Sequence, residues 1–265
     1  MSELFGKLTN LSYEFFGVLM PGVIAHIFFL VAWAAMGPLA PVISLGGLPQ
    51  LRFVDLVSFI DSAKTERGIG MLLLLLVGWY FLGHLVLWIS RSRERTSDNW
   101  PSSARRTWLA LTLRTPRPKD SFDPKLQPLL DLLRRRFERG GVSFDWRQFY
   151  PVAKNFLAQR VAYSLVATYQ HKYTLHRSIA CAAALQFWAL IATAAIGLRS
   201  LFLDGPQPHW HLLIAGTIVS LLLVWGFSGS YMYNWLMFGN TIITECYALL
   251  NAPKVDLGSK SSSSN

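Results

Sequence analysis

"GIGMLLLLLVGWYFLGHLVLWISRSRER", residues 68 to 95, decides the fold. Its first 23 positions carry no Lys, Arg, Asp or Glu, and the next five carry three arginines and a glutamate. In hydrocarbon every backbone amide must be bonded inside its own helix, so about 20 apolar residues in a row suffice to cross a core about 30 Å thick. Residues 68–90 therefore read as a transmembrane helix, and Arg91, Arg93 and Arg95 as the stop at its lipid boundary, where guanidinium groups pair with anionic headgroups.

Three more windows meet the same requirement: 15–36, 178–198 and 210–233. The third of the four spans, 178–198, has the weakest apolar run, rich in alanine and interrupted by Gln186. "AWA" at 32–34 is like a signal-peptide processing site, but the 22-residue apolar window and the acidic Glu3 and Glu14 beside a single Lys7 favour a retained span. A composition of 52% hydrophobic and 15% charged residues agrees with a membrane protein. Cys181 and Cys246 lie far apart in apolar surroundings and suggest neither a disulfide framework nor a metal site.

The net charge of +10 is concentrated in one place. Residues 91–177 hold 18 Lys and Arg against 7 Asp and Glu, and the remainder of the chain holds 7 against 8. Basic segments stay on the cytoplasmic side, so the middle segment is expected in the cytoplasm, and four spans then bring both termini there as well. Within it, residues 96–122, mixing Pro, Ser and Arg, read as a loop with at most one short helical piece around Arg105 to Leu113. Asp123 caps a second, opened by Pro124, whose apolar stripe is Leu126, Leu129, Leu130, Leu133 and Phe137 and whose end is Gly140-Gly141. Arg134, Arg135, Arg136 and Arg139 crowd its last turn, where they stabilise the carbonyl end of the helix or meet anionic lipid or nucleic acid.

Val152 to Ile196 contains no Gly and no Pro and reads as one continuous helix, a stalk that carries the third span. Tyr169, His171, Lys172, Tyr173, His176 and Arg177 would form an interfacial belt on it. Apolar spacing through Trp235, Phe238, Ile242 and Leu249 extends the fourth span to residue 250, and 251–265 reads as a disordered tail. The expected architecture is an all-α membrane protein with four transmembrane helices. Its parts are an N-terminal pair of spans (1–90), a basic helical cytoplasmic domain (91–177), a second pair with a helical extension (178–250) and the tail.

Polar residues inside spans are costly and raise a functional question. His26, His84 and Gln186 are three such groups, read either as neutral partners of neighbouring helices or as a small transport path. Glu14 and Glu245, at the span edges, are placed to pair with arginines. Pro21-Gly22 is a candidate hinge or a point of close packing. The small residues Ala180, Ala182, Ala183 and Ala184, and Gly216, Ser220, Gly226 and Gly229, allow helices to approach within one chain or between chains. A phosphate-binding Gly-rich loop and a His-Glu-x-x-His zinc helix are missing, and "GFSGS" at 226–230 departs from the Gly-x-Ser-x-Gly elbow in its last residue. The sequence suggests no catalytic residue, metal or cofactor.

"YEFFGVLMPG" (13–22), "FLGHLVLWISRSRER" (81–95), "YTLHRSI" (173–179) and "TIITECYALL" (241–250) together resemble a poorly characterised group of bacterial four-span inner-membrane proteins. Such proteins often accompany anti-phage defence genes. The resemblance implies a membrane-acting effector or accessory protein; the pairing of a basic cytoplasmic domain with spans that lack a transport-type charge pathway adds the expectation that it self-associates and changes permeability on a cytoplasmic signal. Two other functions remain open: a small channel or transporter using His26, His84 and Gln186, and a membrane-anchored scaffold whose arginines bind nucleic acid or a protein partner.

Overall fold

A computed structural model of the chain describes residues 14–39, 66–97, 101–118, 121–137, 145–161 and 164–251. The regular elements among them are helices apart from one short parallel ribbon. A π-helix, Glu14–Leu19, leads into α1, Met20–Met36. Next come α2, Glu66–Ser92, then β1, Glu94–Ser97, the short helix α3, Ser103–Leu111, and β2, Thr115–Pro118. A 3-10 turn at Pro124–Leu126 opens α4, Gln127–Phe137. The chain ends in α5, Trp146–Arg160, α6, Leu165–Phe202, and α7, Trp210–Asn251. Among the described residues, four helical segments are long and apolar enough to cross a membrane: Glu14–Met36, Leu72–Ser92, Leu165–Phe202 and Trp210–Asn251.

The residues divide into two compact units, Met1–Lys119 with Ala167–Trp235, and Asp120–Val166 with Leu236–Asn265. In the first, α1 and α2 cross at two glycines. A Cβ on Gly22 would collide with the carbonyl of Trp79, and one on Gly83 with that of Val18, so both positions exist to let backbones touch. Pro21 has no amide hydrogen to give the preceding turn, and the wider π-helix before it makes room for its ring. Thus Pro21-Gly22 is a packing point in this structure. At the far end, Gly37 turns α1 out with φ +51, and His209 donates its amide to the Ala35 carbonyl at 3.0 Å. Ala32 and Ala35 pack there with Leu190 and Leu213.

The second unit has a separate core. Leu130 and Leu133 of α4, Phe149 and Leu157 of α5, and Phe238, Ile242 and Ile243 of α7 are fully buried. Aromatic edges knit them, with Phe137 at 5.7 Å from Phe149 and Tyr150 at 6.1 Å from Phe238. Asp123 accepts the Lys125 amide, as its capping role requires, and its own amide donates to Asn240 at 2.8 Å. The Gly140-Gly141 stop and residues 252–265 lie outside the described residues.

Three features differ from the sequence reading. The helix expected from Val152 to Ile196 is broken: Val161 is extended, and α6 restarts at Leu165. Ser164 accepts the Val166 amide at 3.1 Å and donates its hydroxyl to Glu245 at 2.6 Å, while Glu245 also accepts the Leu165 amide at 3.0 Å. A carboxylate at that amide end satisfies free donors and favours the helix dipole, so the cap outweighs the continuous apolar pattern. Second, α5 starts before Val152, at a capping box in which Asp145 accepts the Gln148 amide. Third, β1 and β2 pair in parallel with Glu94 opposite Thr115, joined through α3. Four-residue strands leave the described residues mainly helical, but residues 101–118, expected mostly as a loop, are folded onto the long apolar helices.

Candidate functional site

No cluster of three or more His, Cys, Asp or Glu placed to hold a metal occurs among the described residues. What the first unit offers is an arginine-bearing segment set into the side of the spanning helices. Ser102 caps α3, accepting the Arg105 amide at 3.4 Å. Ser103 then receives two donors, the Arg106 guanidinium at 3.3 Å and the Trp225 indole at 3.0 Å. At the other end the Trp188 indole donates to the Leu111 carbonyl at 2.7 Å. Tryptophans of α6 and α7 therefore pin both ends of α3.

Small side chains make room for it. Leu111 is buried with Ala183, Ala184 and Val224, and Leu113 packs against this group and against Val86, Cys181 and Ala182. The helix closes in a Schellman motif, Leu113 donating to Ala110 at 3.0 Å and Arg114 to Leu109 at 2.8 Å. Leu113 takes the left-handed position, φ 57, that glycine usually fills; its contacts with the alanine run compensate for a strain of about 1 kcal/mol. The alanines thus serve contact within the chain, as does Gly216 against Leu190, whereas Gly226 faces open space.

Exposed indoles ring this segment. Trp88, Trp108, Trp188 and Trp225 are all exposed, on α2, α3, α6 and α7. Trp88 precedes by two residues Ser90, whose carbonyl accepts the Thr115 hydroxyl at 3.2 Å. The belt expected over 169–177 is internal only in part, with Arg177 buried, Lys172 exposed and the rest half-buried. Tyr173 meets Tyr231 and Trp235, His176 is hydrogen-bonded to Asn234 at 3.0 Å, and Arg177 is buried in an ion pair with Glu94. Lys172 remains exposed and lies over the Tyr169 ring at 5.5 Å. Contacts from α7 to Tyr173 and His176, and from β1 to Arg177, draw these three side chains inward, relations that spacing along one helix does not contain.

The remaining basic residues separate into kinds. Arg91, Arg93, Arg105 and Arg135 are exposed, while the Arg95 side chain and Arg139 lie outside the described residues. In the second unit Arg134 stands 3.6 Å from Asp131, and Arg136 donates to the Leu250 carbonyl at 3.0 Å and to Asn251 at 3.3 Å, capping the end of α7. Lys154, half-buried on α5, is held below the ordinary ammonium range by burial. Glu14 and Glu245 make no ion pair with an arginine among the described residues: Glu14 accepts the Tyr80 hydroxyl at 3.1 Å, and Glu245 caps α6.

His26, His84 and Gln186 are not joined to one another by a hydrogen bond among the described residues. His26 sits edge-on to Trp79 at 6.3 Å, His84 edge-on to Tyr80 at 4.5 Å, and Gln186 is buried with its side-chain oxygen unpartnered. Other buried polar groups share the interior of the first unit: Ser178 and Thr193 on α6, and Ser220, Ser228 and Asn234 on α7. No protein family, curated protein or solved structure matches the chain.

Proposed function

We propose that the chain is a non-enzymatic, self-associating protein of a bacterial inner membrane, with segment 91–177 and both termini in the cytoplasm. Its spans change membrane permeability when that segment is engaged by a cytoplasmic signal. The excess of arginine in 91–177 supports the orientation. The four exposed tryptophans around α3 have the chemistry of an interfacial belt. From Trp225 to Trp210 along α7 is 15 residues, about 22 Å at the helical rise, and the exposed side chains between them are largely Ile, Leu and Val.

One observation carries the permeability reading. The protein-facing sides of α6 and α7 bear Ser178, Gln186, Thr193, Ser220 and Ser228, inside helices whose outer faces are apolar. Thr193 and Ser220 bond back to their own helices, at 2.9 and 2.7 Å. Gln186, 6% exposed, and Ser178, fully buried, differ: each has a side-chain oxygen with no partner. A buried amide left so costs about 1–3 kcal/mol, which favours a state in which water or a second copy supplies the donor. The resemblance to membrane proteins found beside anti-phage genes supports an effector or accessory role for such a change.

Expression at high density in bacteria, with a potential-sensitive dye, tests the reading by letting mass action replace the signal. The wild-type chain is expected to depolarise the membrane and Gln186→Leu to do so less at equal abundance. Full polarisation at the highest wild-type density would refute the permeability role.

A further inference from the structure

We propose that the groove between α3 and α7 binds the phosphate of an anionic lipid headgroup. The groove is an open depression of about 350 Å³ lined by Arg106 of α3 and by Trp225, Gly226, Gly229 and Tyr233 of α7. Its cation is incompletely satisfied. Arg106 meets the neutral hydroxyl of Ser103 at 3.3 Å, its Nε is withdrawn from solvent with no acceptor, and no described carboxylate lines the groove. A half-buried guanidinium with free donors selects an anion able to accept from its planar fork, and phosphate oxygens fit that geometry.

The groove explains the two glycines. A Cβ at Gly229 would stand 3.2 Å from Arg106 Nη2, so the missing side chain lets the guanidinium lie against α7. A Cβ at Gly226 would have nothing within 4 Å, so its absence keeps the groove open. Trp225 and Tyr233 are mostly exposed, at 55% and 58%, and offer amphipathic rings. Counted from Trp210, they lie 15 and 23 residues along α7, about 22 and 34 Å at the helical rise. A hydrocarbon core about 30 Å thick ends between them, so the groove opens where lipid phosphates reside. The inference rests on α7 spanning the bilayer but not on any permeability change.

Native mass spectrometry of the full chain in mild detergent, titrated with phosphatidylglycerol or phosphatidylcholine, tests it. The wild type should retain phosphatidylglycerol preferentially. Arg106→Gln should weaken retention about tenfold through loss of charge-assisted bonds. Gly226→Leu, which fills open space and keeps the arginine, should weaken it similarly while leaving the unfolding temperature in place. Inorganic phosphate at equal concentration should not displace the lipid. Unchanged retention in Gly226→Leu, equal retention of the two lipids, or displacement by inorganic phosphate would each overturn the assignment, the last in favour of a soluble phosphate compound. Membrane potential is a separate readout, so a polarised membrane with lipid still bound would refute only the permeability role.

Discussion

Helix α2 and helix α6 carry the same kind of signal and use it oppositely. Leu-rich α2 buries 11% of its spanning window against the rest of the protein, whereas α6, with the weaker apolar run, buries 50% of its own. The difference follows from the solvent. Lipid tails are as apolar as leucine, so water does not drive helices together within a bilayer; close backbone approach and polar bonds do. Leucines on α2 therefore face outward, and the fully buried Ala183, Ala184 and Ser178 mark the contact face of α6. Where α2 does touch a neighbour, at Gly83, it uses the same device.

The sharpest way to test the contrast is at the ion pair that ends it. Arg177 and Glu94 have side chains only 8% and 15% exposed, so removing the arginine takes its ion-pair partner from a carboxylate largely withdrawn from solvent. Arg177→Met is expected to lower stability by about 3–5 kcal/mol, read as an earlier unfolding transition in detergent. Adding Glu94→Gln should recover much of the loss. If the single variant unfolds with the wild type, α6 is not held centrally by this pair.

The next effect is steric. Ala183 is fully buried against Leu111, and Ala183→Leu adds volume where α3 already fits. Overpacking of this kind costs about 1–3 kcal/mol. Limited proteolysis is expected to cut α3 sooner in the variant, since the added side chain pushes the segment carrying Leu111 and Leu113 away. Wild-type resistance would mean that the alanine run does not seat α3.

Much of this organisation was legible in the sequence and some was not, for identifiable reasons. Span existence was legible because 20 uncharged residues have few other uses, and the continuation of α7 to Asn251 because its apolar spacing never lapsed. The Asp123 cap was legible because it is local. The break before α6 was not: Ser164 looks like any helical serine until Glu245, 81 residues away, is brought to it. Arg177 read as an interfacial cation for the same reason, its partner Glu94 being 83 residues distant. Arg106 was legible as a basic residue but not as part of a groove, because Gly226 and Gly229 acquire that meaning only when α3 is laid across α7.

The smallest expected effect tests the other side of the contrast. Leu74 on α2 is 72% exposed in the isolated chain, and in a bilayer its neighbours are lipid tails or a second copy. In lipid, Leu74→Ala exchanges contacts with a solvent of nearly the same polarity, and a change within about 0.5 kcal/mol is expected. The measurement is the unfolding transition of the chain in bilayer nanodiscs holding one copy, and again in nanodiscs wide enough for two. No shift in either places α2 against lipid and directs the search for a self-association surface to another helix. A loss confined to the wider discs would mean that a second copy covers Leu74, so that leucine on α2 marks a contact between chains just as alanine on α6 marks one within them.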